Sequence, residues 1–258
     1  MVSVESLTNH YPPLTTHYPF PMDLKEIELL GGRQDNHWYY ASKSRALRRA
    51  LGDYQPHGIL DVGAGSGFFS RVLLRDTAAT SAVCVDPGYV EDRSEIHFGK
   101  PMVFRRTVPA DAADLVLLMD VLEHVDDDLG LLRDVVSRAG PRARFIVSVP
   151  AFAWLRSRHD EFLEHRRRYT LTGLRQLFVA AGLRPLGGFY MFAAIFPAVA
   201  AQRLWQRACA PEASPASDLR RHHRWTNALL TRLCIAEAAL APYNRAFGLT
   251  AFGIAEKN

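Results

Sequence analysis

Three cysteines, Cys84, Cys209 and Cys234, are all that this chain of 258 residues contains. None lies at the short paired spacing of a disulfide framework or a cysteine zinc site, so neither is expected to organise the fold, and a reducing, cytoplasmic setting is expected. A basic segment followed by an apolar core, the mark of a secretory leader, is also missing near the N-terminus. No run reaches the roughly 18 uninterrupted apolar residues expected of a spanning helix. The uncharged stretch 186–202 comes nearest, and Pro197 interrupts it. The charge excess is small: a net +4 suits anionic metabolites, membrane surfaces or nucleic acid and selects none of them. What the chain does have is an ordinary supply of core, 48% hydrophobic against 22% charged residues, enough for one generous domain or one domain with an insertion.

The proline-rich "HYPPLTTHYPFP" makes residues 1–22 an extended arm rather than a helix. Residues 23–55 read as a helical cap, with "HWYYASKSRALRRAL" as its second helix. Over 56–192, apolar runs alternate with amphipathic helices. "GILDV", "SAVCVD", "PMVFRR", "DLVLLMD" and "ARFIVSVP" are expected strands, and 127–139 and 171–181 are expected helices. Near-continuous apolar strands separated by helices predict an open α/β sheet, mostly parallel, with helices on both faces. The segment 193–245 reads as an apolar helical insertion with a linker at "APEASPAS", and it suits an acceptor cap, a homodimer contact or a peripheral membrane contact. Alternation in "FGLTAFGIAEK" makes 246–258 a closing antiparallel strand.

The most informative segment is "ILDVGAGSGFFS". A strand runs into Gly63, Gly65 and Gly67 and then into a helix, a turn in which backbone can approach a ligand without Cβ interference. A dinucleotide fingerprint would require Gly or Ala where Phe68 stands, and a phosphate-cradling loop would require a lysine the segment lacks. Asp61 ends the strand, near an amine-bearing ligand, and Asp86 ends the next, where a carboxylate can accept two hydrogen bonds from a ribose diol. A nucleoside carrying an amino acid, without a pyrophosphate, satisfies these features.

"LDVGAGSGFFS", "VCVDP" and "DLVLLMDVLEHVDDD" together resemble the first, second and fourth motifs of class I S-adenosylmethionine-dependent methyltransferases, over roughly residues 35–190. That resemblance implies a Rossmann-like, seven-stranded sheet and S-adenosylmethionine as cofactor. Gly63, Gly65 and Gly67 would then lie against the methionine part, Asp86 and the adjoining Pro87 at the ribose, and Met119 and Asp120 beside the reacting sulfur. Trp38 and Asp61 complete the candidate cofactor set. The acid such enzymes often carry after the third strand, for the adenine amino group, is replaced here by "RRTVPAD".

"MDVLEHV" sets Asp120, Glu123 and His124 at the exit of the fourth expected strand, where open sheets of this kind bind ligands. The motif resembles that of ubiquinone-pathway O-methyltransferases, some of which use a divalent ion. These three residues are the metal candidates, against the expectation that no metal is bound. "SRHDEFLEHRRRYT" follows the fifth strand, over the mouth where a methyl acceptor would enter. His124, His159 and His165 are the candidates for moving a proton. Tyr39, Arg158, Arg166 and Tyr169 are the candidates for holding the acceptor, the arginines as clamps for an anionic group. The competing reading of this run is a solvated lid whose arginines pair with Asp160, Glu161 and Glu164.

The leading expectation is therefore transfer of a methyl group to O, N or C of a small-molecule or lipid-linked metabolite. A cofactor-binding scaffold without turnover is the alternative. A nucleic-acid methyltransferase ranks below both, because the aromatic Pro-Pro motif after the fourth strand and a Pro-Cys nucleophile are absent.

Overall fold

The computed structural model of the protein describes Gln34 and residues 37–109, 113–209 and 223–258. The proline-rich arm, the first helix of the cap, the whole of the "APEASPAS" linker and part of the expected adenine segment lie outside the described residues.

Helix α1 (Trp38–Leu51) leads into the sheet. Next come β1 (Gly58–Val62), α2 (Phe68–Asp76), β2 (Ser81–Val85), β3 (Arg93–His97), β4 (Lys100–Arg105) and β5 (Leu115–Met119). The second half adds α3 (Asp128–Arg138), β6 (Arg144–Pro150), the short α4 (Arg158–Phe162), α5 (Leu171–Ala180) and β7 (Leu183–Met191). Two helices, α6 (Phe196–Cys209) and α7 (Arg224–Leu240), separate β7 from the final strand β8 (Thr250–Lys257).

All eight strands join one sheet in the order β3-β4-β2-β1-β5-β6-β8-β7. Neighbours from β4 through β6 run parallel, while β3 and β8 run antiparallel to the strands beside them. The fold is thus the expected Rossmann-like mixed sheet with one strand more than seven. The addition is β3, an edge strand folded onto β4 through Phe98 and Gly99, both at positive φ (54° and 74°). Such a two-residue turn matches the twist of antiparallel strands. The polar, largely exposed "RSEIH" gives no apolar run by which to notice it.

Side chains of β5 alternate between two cores, as a pleated strand requires. Leu115, Leu117 and Met119 pack in the cluster that includes Leu47 and Ala50 of α1, Leu73 of α2 and Cys234 of α7. Val116 and Leu118 face Leu132 and Val135 of α3 and Leu174 and Phe178 of α5. Helix α3 is capped by the Asp127 carboxylate, which accepts from the Gly130 amide at 2.7 Å. The uncharged stretch is divided between the end of β7 and the start of α6, and Pro197 lies in the second of these. It stands in the first turn of α6, where its missing N–H has no intrahelical partner to lose.

Candidate active site

Because β7 and β6 both run antiparallel to β8, the carboxyl ends of β1, β2, β5, β6 and β7 share one edge of the sheet. Backbone strain concentrates there. Asp120, Phe152 and Phe192, just past the ends of β5, β6 and β7, all have positive φ (59°, 57° and 66°). Such conformations cost of order 1–3 kcal/mol each in non-glycine residues and collect at functional sites.

The glycine turn forms the first wall. Gly63 (φ 69°) and Gly67 (φ 74°) are each doubly constrained: a Cβ at Gly63 would stand 2.5 Å from Val121 Cγ2, and one at Gly67 would stand 2.2 Å from Met102 Cε. Gly65 has φ 50°, its amide donates to Asp86 Oδ2 at 3.1 Å, and its carbonyl accepts from the Tyr89 hydroxyl at 2.6 Å. The other oxygen of Asp86 accepts from the Gly88 amide at 2.9 Å. A carboxylate has about four acceptor positions, and a ligand diol can use two of them. Pro87 beside it is exposed. Asp61 is buried in β1 and accepts from the Ser70 hydroxyl at 2.7 Å, which ties the strand to the first turn of α2.

The second wall contains a residue that the sequence reading missed. Lys43 of α1 is fully buried, and its ammonium pairs with the Asp120 carboxylate across the end of β5. Tyr39, one turn earlier, accepts from Lys43 Nζ at 3.0 Å and donates to Asp120 Oδ2 at 3.0 Å. Ser148 Oγ reaches the other Asp120 oxygen at 3.2 Å. Tyr39 stacks on Phe192 at 5.4 Å, and Trp38 meets the same ring edge-on at 5.6 Å. A signal for Lys43 did exist. It shares a helix face with Leu47 and Ala50, both buried, and a lysine on an apolar face needs a buried partner.

Met119 ends β5, and Glu123 and His124 follow on a single 3-10 turn, Leu122–His124. Glu123 is fully buried, and among the described residues neither of its carboxylate oxygens has a hydrogen-bond partner. Burial, reinforced by the charge of Asp120, pushes its carboxyl well above the usual range. His165 approaches from the arginine-rich segment, its ring centroid 4.6 Å from that of His124. Its Nδ1 lies 2.8 Å from Asp160 Oδ1. His159, half-buried on α4, lies 6.3 Å from His165, ring to ring. The three candidate histidines therefore form one group beside Glu123.

The expected metal set changes accordingly. Both Asp120 oxygens are engaged by Lys43, Tyr39 and Ser148. His165 instead joins Glu123 and His124, one donor atom from each lying within 4.8 Å of the others.

The acceptor candidates are scattered. Tyr169 is buried, and its hydroxyl bonds to the Leu122 carbonyl (3.1 Å) and Asp128 (2.8 Å), so it fastens the loop after β5 instead of presenting its hydroxyl to an acceptor. Arg166 is exposed, 3.4 Å from Asp126, and its amide donates to the Glu123 carbonyl at 2.6 Å. Arg158 opens α4 and is half-buried. Arg167 pairs with Asp128, so two of the arginines find partners between the end of β5 and the first turn of α3, outside the lid itself.

Arg168 is the exception, buried against Asp160 at 2.6 and 3.0 Å. Burial alone would raise the Asp160 carboxyl, but hydrogen bonds and charge from His165 and Arg168 outweigh it and hold the group well below the usual carboxylate range. A lowered native value gives stability that is present above the unfolded value near pH 4 and is lost as pH falls toward the native value. Glu123, with a raised carboxyl, has the opposite sign: its contribution declines as pH rises above that of an unfolded glutamate. Asp160→Asn is expected to cost about 3–5 kcal/mol at neutral pH, since it strands Arg168. It should also flatten the loss of stability below pH 4, as read from denaturant midpoints at several pH values.

Fold and site together define a doubly wound α/β domain of the kind whose ligands lie beyond the carboxyl ends of the strands. The family described as "Methyltransferase domain" matches residues 36–186, more than half of the chain, and the chain belongs to that family. It is 28% identical over 120 residues to a demethylmenaquinone methyltransferase of Tropheryma whipplei, covering 44% of this chain and 48% of the relative. The chain thus spans about half the length of the curated relatives it matches. Among solved structures it resembles a Galdieria sulphuraria protein proposed to be a sarcosine dimethylglycine methyltransferase, at TM-score 0.53 and 16% identity over 92% of this chain and 98% of the other. A protein proposed to be a methyltransferase, solved with the Haloferax volcanii Trm112 activator, matches at TM-score 0.53 and 14% identity, over 93% and 99% of the chains. At these identities the two structures bear on the fold alone.

Proposed function

We propose that this domain binds S-adenosylmethionine and transfers its methyl group to an apolar small-molecule acceptor, releasing S-adenosylhomocysteine. The observation that carries the reading is the alignment of three elements on one sheet edge: the glycine turn, the Asp86 carboxylate that braces it and the Lys43–Asp120 pair. Asp86 supplies acceptors for the ribose diol. The donor's amino-acid end is a zwitterion, and a pair of buried ammonium and partly exposed carboxylate can open onto it, ammonium to carboxylate and carboxylate to amine, without leaving a net charge unpaired. Transfer itself requires in-line approach of the acceptor to the sulfonium methyl, and positioning supplies much of the rate.

Two observations favour an apolar, lipid-soluble acceptor. Past β6, Phe152 stacks on Tyr190 at 4.9 Å and meets Phe196 at 6.0 Å, with Trp154 at 5.8 Å from Phe196. Helix α7 presents Trp225, Leu229, Leu233 and Leu240 to solvent along one face. Segments 193–209 and 223–248 carry Arg203, Arg207, Arg224, Arg232 and Arg245 against the single acid Glu237, whose carboxylate accepts from the amides of Ala193 and Ala194. An apolar face with a basic surround suits an anionic lipid surface from which such an acceptor is drawn. Among the described residues no helix is long and apolar enough to cross a membrane. Methyl-labelled S-adenosylmethionine incubated with the enzyme and a host extract is expected to place label in the organic-soluble fraction. Label confined to the aqueous fraction would overturn the apolar acceptor, and no label in either, with cofactor bound, would overturn turnover.

A further inference from the structure

Glu123, His124 and His165 form the cluster that the cofactor reading leaves unused. A fully buried carboxylate without a hydrogen-bond partner is costly unless it is protonated or faces a cation. Lys43 is already taken by Asp120, and Arg168 by Asp160. The groups that do face Glu123 are imidazoles, and one of them is braced from behind. His165 Nδ1 is held by Asp160 at 2.8 Å, which leaves Nε2 as its nitrogen for a ligand. Asp160 is fixed in turn by Nε and Nη2 of Arg168 and by the Ser157 amide at 2.7 Å. An imidazole oriented by a carboxylate through its far nitrogen is the usual support of a metal-ligating histidine.

We propose that Glu123, His124 and His165 bind one divalent first-row transition ion, with Asp160 as the positioning residue for His165. Two imidazoles and one carboxylate match zinc, cobalt, manganese or iron(II) better than magnesium or calcium, which take oxygen donors. Donor atoms now within 4.8 Å of one another need only close to the roughly 3.4 Å separation of ligands about 2.1 Å from a tetrahedral ion. Three protein donors leave at least one position for water or an acceptor oxygen, on the side of the sheet where the acceptor is expected. The site does not depend on cofactor binding.

The test is a titration of chelator-stripped full-length protein with cobalt(II), read by its visible absorption, and with zinc(II), read by calorimetry. One equivalent is expected to bind. Glu123→Gln, isosteric at a position whose oxygens have no hydrogen-bond partner among the described residues, should abolish that equivalent, and His165→Ala should weaken it at least about 10-fold. Asp160→Asn should lower affinity about 10- to 100-fold with the same cobalt spectrum where the chain remains folded by circular dichroism. The chain has 10 histidines, so a bound equivalent that survives Glu123→Gln and His165→Ala lies elsewhere and overturns the proposal. So does the absence of any stoichiometric binding to the wild-type protein.

Discussion

Asp86→Ala is expected to lower affinity for S-adenosylhomocysteine at least ~100-fold while leaving the fold intact. Hydrogen bonds to a charged acceptor contribute about 1.5–3 kcal/mol each, and one carboxylate can accept from both hydroxyls of a ribose diol. The two amides it now serves, those of Gly65 and Gly88, would lose their acceptor, so some loosening of the glycine turn adds to the effect. The nucleoside is the part concerned. Binding of 5′-methylthioadenosine, which has the same ribose but no amino acid, should therefore fall by a similar factor. Calorimetry with both ligands decides it: undiminished binding of either would remove Asp86 from the ribose site.

Lys43→Met should separate the two ligands. Methionine fills most of the volume of a fully buried lysine stem without its charge. S-adenosylhomocysteine should lose about 10- to 100-fold in affinity, the cost of one charge-assisted contact to its carboxylate. Methylthioadenosine should bind as it does to the wild-type protein. Asp120 keeps Tyr39 and Ser148 as donors and has a side chain 31% exposed, so water can make up part of the lost partner. Equal losses for both ligands would mean that Lys43 supports the architecture of the site, not the amino-acid end of the cofactor.

Together the two variants test a division of labour across the sheet edge. Asp86 at the end of β2 handles the nucleoside, and the Lys43–Asp120 pair at the end of β5 handles the zwitterion. The metal cluster lies one short turn beyond Asp120. A variant in Glu123 that leaves both ligand affinities unchanged would place the two sites side by side but independent.

The sequence by itself determined the parts whose physics is local. Apolar runs such as "DLVLLMD" are buried on both faces wherever they are placed in a parallel sheet, so the strands were readable without knowing their neighbours. The glycine turn and Asp86 were readable because the strand, the turn, the helix and the next strand's end follow one another in order, with Gly65 and Asp86 only 21 positions apart. Tertiary structure decided what depends on distant partners. The 77 residues separating Lys43 from Asp120 vanish only because α1 packs against the end of β5, and no spacing rule links a cap helix to a strand in the middle of the sheet. Likewise His165 meets Glu123 because Arg166, Arg167 and Tyr169 fasten its segment to the loop after β5, while Asp160 holds its ring. In a string dense with arginine and histidine, the side chains that pair inward and those that stay in water have the same composition. Only burial separates them, and burial is a property of the packed chain.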